Sequence, residues 1–168
     1  MFLSTLHSEG LAGRTETFVR YGVTPRLELG FGFLAKQGIA RPLLSYTLVT
    51  ENAARPSLTA GLMYDSLGGG RQGAFVSVAK NLRGKLPASL YIGGAQITNE
   101  TRPRLIAGGN VGLTRWLNAS VQFDGKYPNV GVTANVGSVG GLPVRFGVVA
   151  ARGDKFGPLI ATDVPLAR

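Results

Sequence analysis

From Leu27 to Ala35 the chain alternates without a break. Leu27, Leu29, Phe31, Phe33 and Ala35 share one parity; Glu28, Gly30, Gly32 and Leu34 share the other. Successive Cβ atoms leave opposite faces of a pleated strand, so a period of two predicts a β-strand with a large apolar face and a small or polar face. Just upstream, Thr17, Val19 and Tyr21 run into Gly22-Val23-Thr24-Pro25-Arg26, a turn in which Pro25 pre-sets φ. Together these residues predict a hairpin from about Thr15 to Lys36.

The same design recurs along the chain. Leu44, Tyr46 and Leu48 alternate with Ser45 and Thr47. Leu58, Ala60, Leu62 and Tyr64 alternate with Thr59, Gly61, Met63 and Asp65. Further runs carry Ala74 to Val78, Ala88 to Ile92, Leu105 to Leu113, Leu117 to Phe123, Val130 to Val136 and Val144 to Ala150. Turn signals fall in two series, one near 24, 53, 83, 114 and 140, the other near 38, 69, 100, 126 and 154. Each series steps by roughly 25–32 residues, the length of two strands and their turns. Parallel neighbours would need crossovers of about a dozen residues, so the strands are expected to be antiparallel and joined by hairpins. Ten strands are readable. Twelve result if Phe2 to Leu6 opens the sheet, within an otherwise irregular stretch 1–15, and Leu159 to Val164 closes it.

Composition narrows what the sheet encloses. The 168 residues, 1–168, fit one domain. Charged residues make up 16%, below the usual quarter for soluble proteins, while hydrophobic residues make up 44%. There is no cysteine, which excludes disulfides and thiolate metal sites. The net charge of +9 would suit nucleic acid or an anionic membrane surface. The basic residues, however, are scattered over turns and strand ends, so no nucleic-acid partner is expected. No apolar run approaches the roughly 18 residues of a transmembrane helix.

A soluble sandwich or barrel turns its apolar face inward and carries charges outside. Here the minor face is mostly Gly, Ser, Thr, Asn and Ala, and the charges sit mainly in turns. That suits a barrel with lipid outside and small polar residues inside. Tyr21, Tyr46, Tyr64, Tyr91, Trp116 and Tyr127 lie mostly near strand ends, where an interfacial aromatic girdle is expected.

The pattern Tyr-Gly-(Val/Leu)-Thr-x-x-Leu-x-Leu is carried by Thr24 and its flanks and echoed around Thr114. Entering a turn and followed by an alternating strand, it resembles bacterial outer-membrane β-barrel proteins, in particular porin-like and transporter-like barrels. The resemblance implies an antiparallel, up-and-down transmembrane β-barrel of about 10–12 strands in the bacterial outer membrane, with membrane lipid as its partner. It is specific for architecture and not for a substrate. Two features depart from the pattern: no signal peptide is visible, and the chain lacks the terminal aromatic of such barrels, ending Pro165-Leu166-Ala167-Arg168. The expectation is therefore that the chain is a trimmed barrel or part of a larger one.

Catalysis has weak candidates. Acyl transfer or proteolysis needs a histidine base, and the one histidine, His7, lies in the least regular segment. Glu16, Glu28, Asp65 and Asp124 are spread over separate strands, a poor start for a carboxylate pair. Gly68-Gly69-Gly70-Arg71 reads as a hairpin loop, and Gly108-Gly109-Asn110-Val111-Gly112 has no following helix to make a dinucleotide site. Arg152-Gly153-Asp154 is turn chemistry, and Asn99-Glu100-Thr101 fits a glycosylation sequon by composition only. No enzyme activity, metal or cofactor is expected. By parity, Arg20, Glu28, Asp65, Asp124 and Arg145 are the expected lumen-lining charges, which would set pore selectivity. The leading expectation is a non-enzymatic porin or transporter for diffusion of small solutes, with Arg20 and Arg145 biasing it mildly toward anions. The alternatives are a structural or adhesion barrel acting through loops 66–72, 98–103 and 151–157, and a soluble β-barrel binding a small apolar ligand.

Overall fold

Each alternating run becomes one strand of a single antiparallel sheet, in a computed structural model that describes residues 2–8, 14–64, 70–151 and 155–163. The strands are β1 (Phe2–Ser8), β2 (Arg14–Gly22), β3 (Leu27–Leu34), β4 (Ile39–Val49), β5 (Ser57–Tyr64) and β6 (Gln72–Leu82). They continue as β7 (Ala88–Ile97), β8 (Arg104–Gly112), β9 (Leu117–Phe123), β10 (Pro128–Val139), β11 (Leu142–Ala151) and β12 (Lys155–Asp163). Neighbours in sequence are neighbours in space. β1 also pairs with β12, Phe2 opposite Asp163 and Leu6 opposite Leu159, and the strand order closes into a barrel. A single 3-10 turn, Ala35–Gln37, is the one helical element among the described residues.

The two series of turn signals are the two ends of this barrel. The connections 23–26, 50–56, 83–87, 113–116 and 140–141 gather at what we call the Thr24 end. Residues 35–38, 70–71, 98–103 and 124–127 lie at the opposite, Glu100 end.

The repeated Gly-(Val/Leu)-Thr motif has one conformation at both of its sites. In the first copy Thr24 Oγ1 accepts the amides of Arg26 (3.2 Å) and Leu27 (2.9 Å); in the second Thr114 Oγ1 accepts those of Trp116 (3.2 Å) and Leu117 (3.0 Å). A hydroxyl that satisfies two turn amides fixes the chain reversal, which is the physical reason for the threonine. Each turn then reaches one strand further. The Arg26 carbonyl accepts the amide of Thr47 (2.8 Å), and the Trp116 carbonyl accepts the amide of Asn135 (2.7 Å). Both partners stand at a register shift, Thr47/Val49 in β4 and Asn135/Gly137 in β10. Bulges of this kind re-aim a strand at a barrel rim.

Parity separates outside from inside. Phe31, Leu90, Ile92, Leu105, Val121, Phe146 and Ile160 are all between 46% and 56% exposed. Their neighbours in sequence include the buried Gly32, Ile106, Gly147 and Ala161. The outward surface is thus a continuous apolar wall. Tyr21, Tyr46 and Trp116 mark its Thr24 edge, while Tyr127, Phe123 and Phe156 mark the other.

Two tyrosines depart from the expected girdle. Tyr64, at the end of β5, turns inward, is 4% exposed and stacks on Phe18 with ring centroids 5.7 Å apart. Tyr91 shares the inward parity of Ala95 and Ile97. Each ring lies where a side chain would otherwise stand: Tyr64 covers Gly32, and Tyr91 covers Gly108. These inward glycines thus make room for aromatic rings across the wall.

Candidate functional site

The lumen retains a cavity of about 620 Å³, reached by side chains from β2 through β9. Phe18, Phe75 and Tyr91 supply aromatic surface, and Leu43, Met63 and Ile106 supply aliphatic surface. Polar groups enter from Ser77, Gln122 and the pair Arg20 and Glu28. The alternating register delivers them: Arg20 stands opposite Gly30, and Glu28 opposite Gly22 and Ser45. Because Gly30 has no side chain, the Arg20 stem can lie along β3 and reach Glu28, with Nη1 to Oε1 at 3.1 Å.

This pairing changes what Arg20 can do. Its charge is neutralised locally by Glu28, so it is a weak source of the expected anion bias. Both side chains are about 40% exposed, and a pair so open to solvent contributes little to stability. The other expected lumen charges are placed differently. Arg145 stands on the inward parity of β11, opposite Asn135 and Ala161, away from the residues that line the cavity. Asp65 lies outside the described residues. Asp124 falls in the β9–β10 turn, where Oδ1 accepts the amides of Lys126 (2.8 Å) and Tyr127 (2.7 Å). This carboxylate caps a turn of its own chain at the Glu100 end, past the last residue of β9.

The strongest electrostatic cluster sits at the Glu100 end and escaped the sequence reading. Glu100, in the β7–β8 turn, receives Arg71 Nη2 at 2.8 Å and Lys126 Nζ at 2.9 Å. Arg104 adds two bonds to the same carboxylate, Nε at 2.6 Å and Nη2 at 2.5 Å. Arg104 is 6% exposed and stands inward, opposite Ala95. The Arg104 and Lys126 bonds hold the Glu100 carboxyl well below the usual carboxylate range, with Arg71 adding to the effect and partial desolvation opposing it. Alongside, Arg41 Nε donates to the Gly70 carbonyl (2.5 Å), and Gln96 Nε2 donates to that of Glu100 (2.7 Å). These bonds knit the β3–β4 side, the start of β6 and the β7–β8 and β9–β10 turns into a cap over part of this mouth.

Among the described residues, no group of three or more His, Cys, Asp or Glu side chains comes together in a way that could hold a metal ion. His7 lies in β1, opposite Thr15. No protein-family model matches the chain, and no curated protein or solved structure is significantly similar to it.

Proposed function

We propose that this chain spans a bacterial outer membrane as a β-barrel and admits small solutes to its lumen by diffusion, without chemistry of its own. One observation carries the reading: a continuous wall of large apolar side chains faces outward, while the ion-paired and polar side chains share the interior with glycines and a limited aromatic and aliphatic cluster. In water that arrangement is inverted. Burial of apolar surface is what drives a soluble chain to fold, at roughly 25 cal/mol per Å², and an outward wall of Leu, Ile, Val and Phe forgoes it. In a bilayer the same wall meets acyl chains, and every strand satisfies its backbone groups through two neighbours. A soluble ligand-binding barrel requires the opposite polarity and is disfavoured on the same ground.

The cap at the Glu100 end favours a second reading, in which the barrel is a filled scaffold acting through its loops. Planar-bilayer conductance separates the two. A diffusion channel gives discrete steps, and Arg145→Glu shifts its ion selectivity toward cations. A scaffold gives no steps with either chain, and that outcome would remove the solute-passage reading.

A further inference from the structure

Among the described residues, the cations of the connections are paired differently at the two ends of the barrel. The connections at the Thr24 end contain Arg26, Arg55, Arg83, Lys85 and Arg115, all exposed, and one acid, Glu51. Glu51 is already engaged: Lys80 approaches it at 3.6 Å, and Asn81 donates to both of its oxygens, at 3.0 and 2.6 Å. None of the five cations forms an ion pair with another described residue. At the Glu100 end, by contrast, Arg71, Arg104 and Lys126 share one carboxylate, and Arg102 stands exposed beside them.

Apolar side chains interrupt the cations in the same turns. Leu82 and Leu86 flank Arg83 and Lys85, Leu113 and Trp116 flank Arg115, and Val23 precedes Arg26. Each of these five is between 43% and 55% exposed, and Val139, at the tip of β10, reaches 74%. A rim built to stand in water has no use for so many apolar tips, and a rim built for hydrocarbon has none for unpaired guanidinium groups. The two belong together at a headgroup layer, where apolar tips enter the acyl boundary and cations meet phosphate.

We propose that the Thr24 rim is a binding surface for anionic phospholipid headgroups, so that this end of the barrel sits in a phospholipid leaflet. The inference rests on the membrane-barrel reading and adds a lipid class and an orientation to it. It also gives five of the 18 Lys and Arg residues a partner other than nucleic acid.

Trp116, the single tryptophan, lies in this rim beside Arg115 and reports on its surroundings. The full chain is folded in zwitterionic detergent and moved into vesicles of phosphatidylcholine with a minority of phosphatidylglycerol. Brominated acyl chains are placed on one lipid or the other at equal mole fraction. Quenching of Trp116 is expected to be at least about twofold stronger when phosphatidylglycerol carries the bromine. The ratio falls toward one as salt is raised, and also when Arg26, Arg55, Arg83, Lys85 and Arg115 are replaced together by Gln. Equal quenching by both lipids in the unmodified chain overturns the proposal, while a β-type circular dichroism spectrum in the same vesicles shows that the barrel itself stands. Equal quenching together with tight binding of a duplex oligonucleotide by the detergent-folded chain would assign the rim to nucleic acid and also overturn it.

Discussion

The two ends of the barrel reverse the chain with similar caps and differ in how their charges are used. At the Thr24 end three turns are capped from within, as the Asp124 turn is at the other end. The ties of these three turns to neighbouring strands run through backbone groups and through Lys80 and Asn81. Thr24, Thr114 and Asn52 each satisfy two amides of their own turn with one side-chain oxygen. The charges of that end are left over and point outward. At the Glu100 end the connections depend on one another, through Glu100 and its three cations and through Arg41 on Gly70. Beneath them lies the cluster of Leu34, Leu43 and Tyr64, with Phe18 packed against it. Local turns leave a rim free to interact, whereas interlocked turns make a rigid cap. Stability and surface chemistry are thus assigned to different ends of one cylinder.

Substitutions can break this comparison. Tyr64→Ala removes a buried ring and its Phe18 partner from under the cap, and should cost about 3–5 kcal/mol in chemical denaturation of the folded barrel. Next comes Glu100→Gln, which takes from the buried Arg104 the carboxylate it shares with Arg71 and Lys126. It should lower the denaturation midpoint more than any single turn substitution and open the 98–103 connection to protease. The pH dependence carries the same signature. The Glu100 carboxyl is depressed in the folded chain, so its stabilisation is fully present above its ordinary value of 4.5. That stabilisation is lost only as pH falls through the lower folded value. The cap should therefore survive mild acid and loosen at strongly acidic pH, and the Gln variant should lack this acid transition.

Effects at the other end are smaller. Thr24→Ala and Thr114→Ala should each cost about 1 kcal/mol. The double variant should show the sum, because the two turns share no partner. If either cost matched that of Tyr64→Ala, the contrast between local and interlocked ends would fail. The smallest effect is expected from replacing the five rim cations by Gln, which should leave detergent stability within about 0.5 kcal/mol per site while abolishing the lipid preference.

Much of this architecture is legible in the sequence because a period of two is a local signal. It gives the strand runs, both series of turns and the outward parity of Leu29, Phe31 and Phe33 without any tertiary information. The count reaches the upper end of the expected range because Phe2–Ser8 and Lys155–Asp163 pair with each other, which neither segment announces alone. The Glu100 knot was not legible. Its members stand 29, 4 and 26 residues apart and meet because successive turns crowd at one mouth, and no local spacing encodes that. Tyr64 misleads for a related reason. Its position fits a girdle, but the space above Gly32 and the ring of Phe18 draw it inward. Asp124 stands past the last strand residue, Phe123, in a turn where a carboxylate has amides to cap.

The central claim is that the outward apolar wall faces lipid, and circular dichroism of the purified chain in detergent and in plain buffer tests it directly. The account predicts a cooperative β-spectrum in detergent micelles and loss of that spectrum, with aggregation, when detergent is withdrawn. A monomer that keeps the same spectrum and the same denaturation midpoint in buffer would contradict it.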